Sequence, residues 1–551
     1  MARTDSDVMH SSAHEGNRPQ RKLAWIVFAL MGVLIGVSFW GLGFARGSDA
    51  AKTTLWWFTL TASSLILARI HSPKLTRWTW LLMTACFALD CASQGVIRGF
   101  FGVSPQPNVL AEALANTNTA EASGFLMEQR WPIFKGLAWA FCLMLLGWLG
   151  RKVWEETPQR PYSRPAFWGV TSLIAFTVLL HFNPSMLGTQ PFLRWGVLFS
   201  RHAEAQNEIR AFESQRKALW NQHAAWDAHL VDQQPRTVVV FIGESDNRLN
   251  WHLLGYPRDT TRPLQEAFEK LPGQVTLFSN ASSQHAFTLP SLKLALTPAT
   301  IEQPDLWKTT PDITFLAKET GFYVRWLSNQ PSNDGWFAAI ARDAHEKVFI
   351  NNGNWRDSST VDRDLVKPLR TMLSQPARPY ELIVIHLLGQ HFHYALRCPK
   401  HMGPFTGVDD DAVMQDMKRA GRTDSIRRSR NEYDNAVYCG AQANAEMLQA
   451  VRELRSDRKI SVLYFSDHAQ EVGHNRDFSG HSEQDASGYT IPMWLWTYQP
   501  GQKPGKINTE SKKFPLQYAD QAMQHLLGIQ SKWYEKKADP LSADFHPEVA
   551  P

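Results

Sequence analysis

The sequence predicts an N-terminal five-helix transmembrane domain followed by a layered α/β domain with a largely parallel sheet. Three observations carry that prediction. Apolar segments crowd before about residue 185, and the remainder reads as an ordinary water-soluble chain. In that remainder, short β-branched and apolar runs alternate with helical or irregular stretches, the pattern of a mostly parallel sheet with helices on both faces. Two of those runs, 237–242 and 459–466, end abruptly in groups able to hold a metal: Glu244 after the first, Asp467 and His468 after the second.

Composition narrows the field. A chain of 551 residues implies more than one structural unit. The net charge of +5 comes with no basic stripe, so a nucleic-acid partner is not expected. Cys86, Cys91 and Cys142 sit in apolar segments and read as buried thiols. Cys398 and Cys439 lie in the soluble half, where spacing alone leaves their pairing open.

Residues 1–22 form a polar lead ending in Arg18, Arg21 and Lys22, expected as a cytoplasmic tail. Five apolar segments follow within 23–185, at roughly 23–45, 53–70, 78–98, 133–150 and 166–184. Each approaches the roughly 20 residues that a membrane-spanning helix requires. The length of the first, its Trp40 and Phe44, and the spans behind it favour a retained helix over a cleaved signal peptide. Lys and Arg gather in the tail, in the link 69–77 and in the link 151–160. The positive-inside rule puts all three in the cytoplasm and the C-terminal half outside it. The loop 99–132 is then external. Within it, 108–122 has an amphipathic helical pattern, suited either to the membrane surface or to packing under the soluble domain. Asp90, in or near the third span, reads either as a functional intramembrane carboxylate or as one solvated at the interface.

Residues 186–235 read as a linker region with a polar helix over 201–230, and 236–551 as the soluble domain. Its strands are expected at 237–242, 322–327, 381–388, 459–466 and 490–498, with Pro492 confining the last to an edge. Residues 500–506 read as a loop and the tail after Lys537 as disordered.

Carboxylates and an imidazole at neighbouring strand ends suit Zn²⁺ or Mn²⁺, and no cysteine stands among them. His391 and His393 follow the 381–388 run, and His474 and His481 follow Asp467-His468. A metal-activated hydroxyl is the natural nucleophile here, since a bound cation lowers the pKa of an oxygen acid. Ser282, Ser283 and Thr288 are the candidates. Thr288 precedes Leu289-Pro290, so it serves equally as a plain helix cap or as a nucleophile at a phosphate-friendly helix start.

Taken together, Gly243-Glu244-Ser245, the Leu-Gly-Tyr-Pro-Arg-Asp-Thr-Thr-Arg-Pro stretch at 254–263, Tyr433-Asp434-Asn435-Ala436-Val437, Ser466-Asp467-His468 and the 115–122 loop resemble one family. It is the membrane-anchored phosphoethanolamine transferases of the alkaline phosphatase superfamily, with a sulfatase-like α/β/α domain. The resemblance covers nearly the whole chain. It implies a multi-pass protein of the bacterial inner membrane whose catalytic domain faces the periplasm. Glu244, Asp467 and His468 would be zinc ligands. Thr288, ten residues beyond Phe278, would be the fourth ligand and the nucleophile. His391 and His481 match histidines that contact phosphate or a second zinc, and Asn329 matches a substrate-contacting asparagine. The implied reaction moves phosphoethanolamine from phosphatidylethanolamine, through a phospho-threonine, to lipopolysaccharide core, lipid A or a periplasmic glucan.

This chain departs from the family pattern in three places. Ser-Asp-His-Gly-Glu becomes Ser466-Asp467-His468-Ala469-Gln470, with Glu471 next. The threonine segment lacks the cysteines of the lipid A-modifying branch, and no lysine follows Trp326 where that branch keeps one. These departures favour a branch acting on core heptose or glucans. The rival readings are a zinc phosphatase or phosphodiesterase of the same superfamily, and a sulfatase-like scaffold without catalysis. Sulfatase activity itself fits poorly: Thr288 cannot be oxidised to a formylglycine aldehyde, and Leu292 stands where the sulfatase motif has arginine.

Overall fold

Helices account for the apolar half. They are α1 (Arg18–Ser38, continued by a π-helical turn at Phe39–Gly43), α2 (Gly47–His71), α3 (Pro73–Phe101), α4 (Arg130–Glu155), α5 (Arg164–Leu180) and the start of α6 (Pro191–Trp220). The computed structural model describes residues 18–43, 47–101, 110–111, 114, 126–127, 130–155, 164–330, 336–351, 360–399 and 402–546. Two compact units emerge, one of residues up to 115 with 125–205, the other of 116–124 with 206–551.

Among the described residues, three helices are long and apolar enough to cross a membrane: Lys22–Leu42, Pro73–Arg98 and Arg130–Trp154. The other two expected spans form helices but fall short. α2 carries Lys52 and a run of threonines and serines, and the apolar part of α5, Phe167–Leu180, is too short. The amphipathic pattern at 108–122 lies almost wholly outside the described residues. Tryptophans dominate this unit's core: Trp56, Trp57 and Trp80 are fully buried. Two of their polar ends are satisfied, Trp56 Nε1 donating to the Met186 carbonyl at 2.9 Å and Trp80 Nε1 to the Gly147 carbonyl at 2.7 Å. Asp90 is not solvated at an interface. It is buried, ion-paired with Arg194 and bonded by Trp195 Nε1 at 2.9 Å.

The second unit is built on an eight-stranded sheet. Its strands are β1 (Arg236–Gly243), β2 (Gly273–Phe278), β3 (Tyr323–Ser328), β4 (Glu346–Phe349), β5 (Tyr380–His386), β6 (Lys459–Ser466), β7 (Met493–Tyr498) and β8 (Pro504–Glu510). Their order is β8-β2-β7-β6-β1-β5-β3-β4. The sheet is mixed: β7 runs antiparallel to both its neighbours, and the remaining pairs are parallel. β7 is therefore an interior strand rather than an edge, because Pro492 falls just before it and costs the ladder nothing. β2, β4 and β8 were not expected, and β8 begins within the 500–506 stretch read as a loop, at Pro504.

Helices α7 (Arg262–Lys270), α8 (Thr288–Leu296), α9 (Ile313–Glu319), α10 (Trp336–Arg342), α11 (Val366–Ser374), α12 (Ala412–Arg419), α13 (Asp424–Leu454) and α14 (Ala519–Leu527) surround the sheet. β1 is buried along its whole length. Val238, Val240 and Ile242 face a core shared with α8, α9 and α14, while Val239 and Phe241 face one shared with α7, α11 and α13. That two-sided burial is why the run is continuously apolar. In parallel register, Ile242 pairs with His386 and Gly243 with Ser466, so β1, β5 and β6 end level with one another.

The linker helix begins and ends earlier than the sequence suggested, because Pro191 opens α6 and a 3₁₀ turn at His223–Trp226 follows it. The described residues after Lys537 are structured rather than disordered. Buried Asp539 accepts from Tyr534 at 2.8 Å and pairs with His525, and Phe545 is buried. Cys398 and Cys439 form a disulfide.

Candidate active site

Three groups meet where β1 and β6 end. Glu244, Asp467 and His468 are fully buried, and each offers a ligand atom within 4.8 Å of the others. His468 Nε2 lies 3.2 Å from Glu244 Oε1 and 3.6 Å from Asp467 Oδ2. The His468 Nδ1 contacts the Ala469 carbonyl at 3.0 Å. A carbonyl only accepts, so Nδ1 carries a hydrogen and Nε2 is the atom turned to the carboxylates. Asp467 Oδ1 accepts from the Ser245 and His468 amides at 3.0 and 2.7 Å. Its Oδ2, equally buried, has no hydrogen-bond partner among the described residues.

The electrostatics describe a place that needs a cation. Burial and the Glu244 charge push the Asp467 carboxyl up to about 8. Burial alone would lower His468, but Asp467 and Glu244 raise it to about 9. Burial would likewise raise Glu244, yet its hydrogen bond and charge interaction with His468 hold it well below the usual carboxylate range. Two buried carboxylates beside an imidazole, with one carboxylate oxygen lacking a hydrogen-bond partner among the described residues, fit a divalent metal of the zinc type.

Thr288 is the first residue of α8, and Phe287 occupies the cap position with no side-chain capping bond. Instead of capping, Thr288 Oγ1 sits 3.1 and 3.2 Å from the two Glu244 oxygens and 3.4 Å from His468 Nε2. Ser283 is committed elsewhere, bonding the His285 carbonyl at 2.8 Å and Ser291 at 2.9 Å.

His391 is carried by the segment after β5, which lies directly on Glu244. The Gln390 amide donates to the Glu244 carbonyl at 2.9 Å. Gly389 has φ +55°, and a Cβ there would come within 2.5 Å of that carbonyl oxygen, so only glycine fits. Burial lowers His391 to about 4, against the opposing pull of Glu244, which leaves its ring neutral. The His481 ring stands 4.8 Å from that of His468 and 5.2 Å from Phe287, and burial holds it well below its ordinary value.

Asn329 is placed differently from the other site candidates. It is fully buried, donates to Asp362 Oδ1 at 2.9 Å and accepts from Thr360 at 2.8 Å. Asp362 in turn holds the Leu388 and Gly389 amides, both at 2.8 Å. Asn329 thus supports the His391 segment from behind. Its neighbour Gln330, not singled out from the sequence, reaches the site: its Nε2 donates to the Leu387 carbonyl at 2.8 Å and lies 3.5 Å from Glu244 Oε2. His386, at the end of β5, was also missed. It is buried between the rings of Trp326 and Phe337, and its Nε2 has no partner among the described residues. Position at the carboxyl end of a buried strand was the signal available for both. The 254–263 and 433–437 motifs meet away from the ligand atoms, at Asp434, which takes Tyr256 at 2.7 Å and Arg258 at 2.6 Å.

The sulfatase family profile matches residues 236–529, more than half of the chain. The chain belongs to the sulfatase family. Several of its relatives are named phosphoethanolamine transferases. One, EptC of Escherichia coli strain K12, is 31% identical over 276 residues, 49% of this chain and 46% of EptC. The match therefore spans about half the length of that relative. Among solved structures, this sulfatase-family chain resembles the C-terminal periplasmic domain of Escherichia coli EptC in complex with zinc. Identity is 27%, the TM-score is 0.54, and the match covers 59% of this chain and 91% of that domain. The integral membrane lipooligosaccharide phosphoethanolamine transferase A (EptA) of Neisseria meningitidis shares the fold across 94% of this chain and 97% of its own, with a TM-score of 0.56 at 19% identity.

Proposed function

We propose that the protein transfers phosphoethanolamine from phosphatidylethanolamine to a hydroxyl of an envelope glycolipid or glucan, through a phosphorylated Thr288. The observation that carries this reading is the Thr288 hydroxyl itself, set on Glu244 and His468 and only partly buried. The names of the relatives support the choice of phosphoethanolamine as the group transferred. Glu244, Asp467 and His468 would hold zinc, with Thr288 Oγ1 completing the set. When bound, zinc supplies a Lewis acid that lowers the pKa of an oxygen acid and offsets charge on phosphoryl oxygens.

In the first step the Thr288 hydroxyl gives up its proton and its oxygen bonds to phosphorus, while the bond from phosphorus to the diacylglycerol oxygen breaks and that oxygen leaves carrying a proton in its place. Glu244 accepts the Thr288 hydrogen bond and so orients the attacking lone pair. In the second step an acceptor hydroxyl bonds to phosphorus from the opposite side, the bond to Thr288 breaks, and the threonine recovers its hydrogen. His391 and His481 stand beside the cluster, His481 with its ring 4.8 Å from that of His468, and are the groups placed to take the acceptor's proton. Gln330 contributes a side-chain amide beside Glu244, where a phosphoryl oxygen would lie. The helical N-terminal unit, read as five spans with the tail in the cytoplasm, keeps the catalytic unit on the periplasmic face of the membrane that supplies the donor.

Intact-mass analysis of protein incubated with phosphatidylethanolamine tests the proposal. A phosphoethanolamine adduct is expected on the native chain, absent in Thr288→Ala and present at a reduced level in Thr288→Ser. An adduct that persists in Thr288→Ala moves the chemistry to another hydroxyl. Adduct decay with release of free phosphoethanolamine, unchanged by added glycan acceptor, would make the protein a hydrolase.

A further inference from the structure

Ser245 contacts all three metal-ligand side chains: besides the two carboxylates, its Oγ lies 3.5 Å from His468 Nε2. Its amide donates to Asp467 Oδ1 at 3.0 Å and its hydroxyl to Glu244 Oε1 at 2.9 Å. The residue has no solvent exposure and a backbone φ of +59°, left-handed and uncommon for anything but glycine. Such a conformation persists only where its surroundings impose it.

The surroundings grip Ser245 from two further sides. Tyr433 Oη donates to its carbonyl at 2.6 Å, and Gln470 Nε2 donates to its hydroxyl at 3.0 Å. The Gln470 carbonyl oxygen accepts from Tyr394, which leaves the amide nitrogen facing Ser245. Because Ser245 Oγ accepts that hydrogen, its own hydrogen goes to Glu244. The hydrogen bonds therefore run in one direction, from Tyr394 through Gln470 and Ser245 to the carboxylate. The same Gln470 nitrogen lies 3.5 Å from His481 Nδ1.

We infer that Ser245, clamped by Gln470 and Tyr433, is a positioning residue that presets two metal-ligand carboxylates and thereby sets metal affinity. The inference rests on the reading of Glu244, Asp467 and His468 as the metal-binding set. Fixing one oxygen of each carboxylate takes away the freedom to turn, while Asp467 Oδ2 stays open toward the cluster. Groups that orient ligands in this way are commonly worth about 10- to 100-fold in metal affinity. Ser245 is not a second nucleophile, because its hydroxyl is fully enclosed and its hydrogen is already committed.

The test is zinc affinity of the full-length, metal-stripped protein in detergent, measured by competition with a chromophoric chelator, alongside the melting temperature of the zinc-free form. Ser245→Gly removes the hydroxyl yet suits the left-handed backbone. It should leave the zinc-free melting temperature unchanged or higher while zinc binding weakens about 10- to 100-fold. Gln470→Met, which leaves Ser245 in place but unclamped, should weaken zinc in the same direction by a smaller factor. A merely structural role would lower the zinc-free melting temperature and leave affinity alone. Native affinity in both variants overturns the inference. A native protein that binds no zinc sinks the metal reading instead, and the two failures are told apart by the wild-type measurement.

Discussion

A threonine at a helix start ordinarily spends its hydroxyl on the helix's own amides, but Thr288 spends it on Glu244. That choice makes a helix terminus into a site. The partners are matched so closely that single changes separate their roles. Asp467→Ala should fold, since it removes the carboxylate whose burial beside Glu244 is least favourable, yet lose both zinc and transfer. Elemental analysis finding undiminished zinc in that variant would remove Asp467 from the site. Glu244, Asp467 and His468 were legible because packing alone seldom ends a buried strand abruptly in ligand-type side chains. The pair Asn329 and Gln330 was not. Successive residues at a strand's end point to opposite faces, and sequence cannot say which of two adjacent amides turns inward. Here Asn329 goes to Asp362 and Gln330 to Glu244. Ser245 was invisible for a related reason: its reach depends on a left-handed φ that no composition rule assigns to serine.

At the scale of elements, strands β3 and β5 are held at their amino ends by a buried charge cluster. Glu381 takes Arg325 at 2.6 Å and Arg455 at 2.5 Å, and accepts from Thr237 at 3.0 Å. Burial alone would raise the Glu381 carboxyl, but the two arginines outweigh it and the net shift is downward. A depressed carboxyl contributes stability that is complete above its unfolded value, about 4.3, and lost as pH falls through the folded value. The native protein should therefore melt at falling temperature as pH drops below about 4.3. Glu381→Gln, which leaves the buried Arg455 guanidinium without its anion and Arg325 with only Glu346, should cost about 3–5 kcal/mol at neutral pH and show a shallower acid dependence. Melting curves from pH 3 to 7 decide it; identical slopes in both proteins would remove Glu381 from the acid response. The interior strands were readable from their apolar runs. β8 was not, because nearly all of its residues are exposed and it opens with proline and glycine, which read as loop.

For the whole molecule, the boundary between units matters more than the sequence implied. The later turns of α6 belong to the second unit: Arg216 is buried between Asp312 and Asp343 with its guanidinium 4.0 Å over the Phe315 ring, and Phe212 stacks on Trp336. A soluble fragment beginning at residue 206 should be stable. One beginning at 236 leaves Asp312 buried without its cation and should melt lower by several degrees or aggregate. Equal melting temperatures would show that the helix contributes nothing to the fold. Lys and Arg near the apolar segments predict the orientation, so a phosphatase reporter fused after residue 240 should be active outside the cytoplasm, and activity only from a cytoplasmic reporter would reverse it. The register of β1 against β6 bears on how the protein matures. Ser245 and Asp467 are 222 positions apart in sequence, yet they touch because Gly243 and Ser466 are strand partners. Contacts of such long range close late in folding, so no metal-binding cluster exists until the sheet is nearly complete. If Glu244, Asp467 and His468 hold zinc as proposed, the metal would be loaded after folding rather than guide it, and protein made without zinc would be folded but without transfer activity until the metal is supplied.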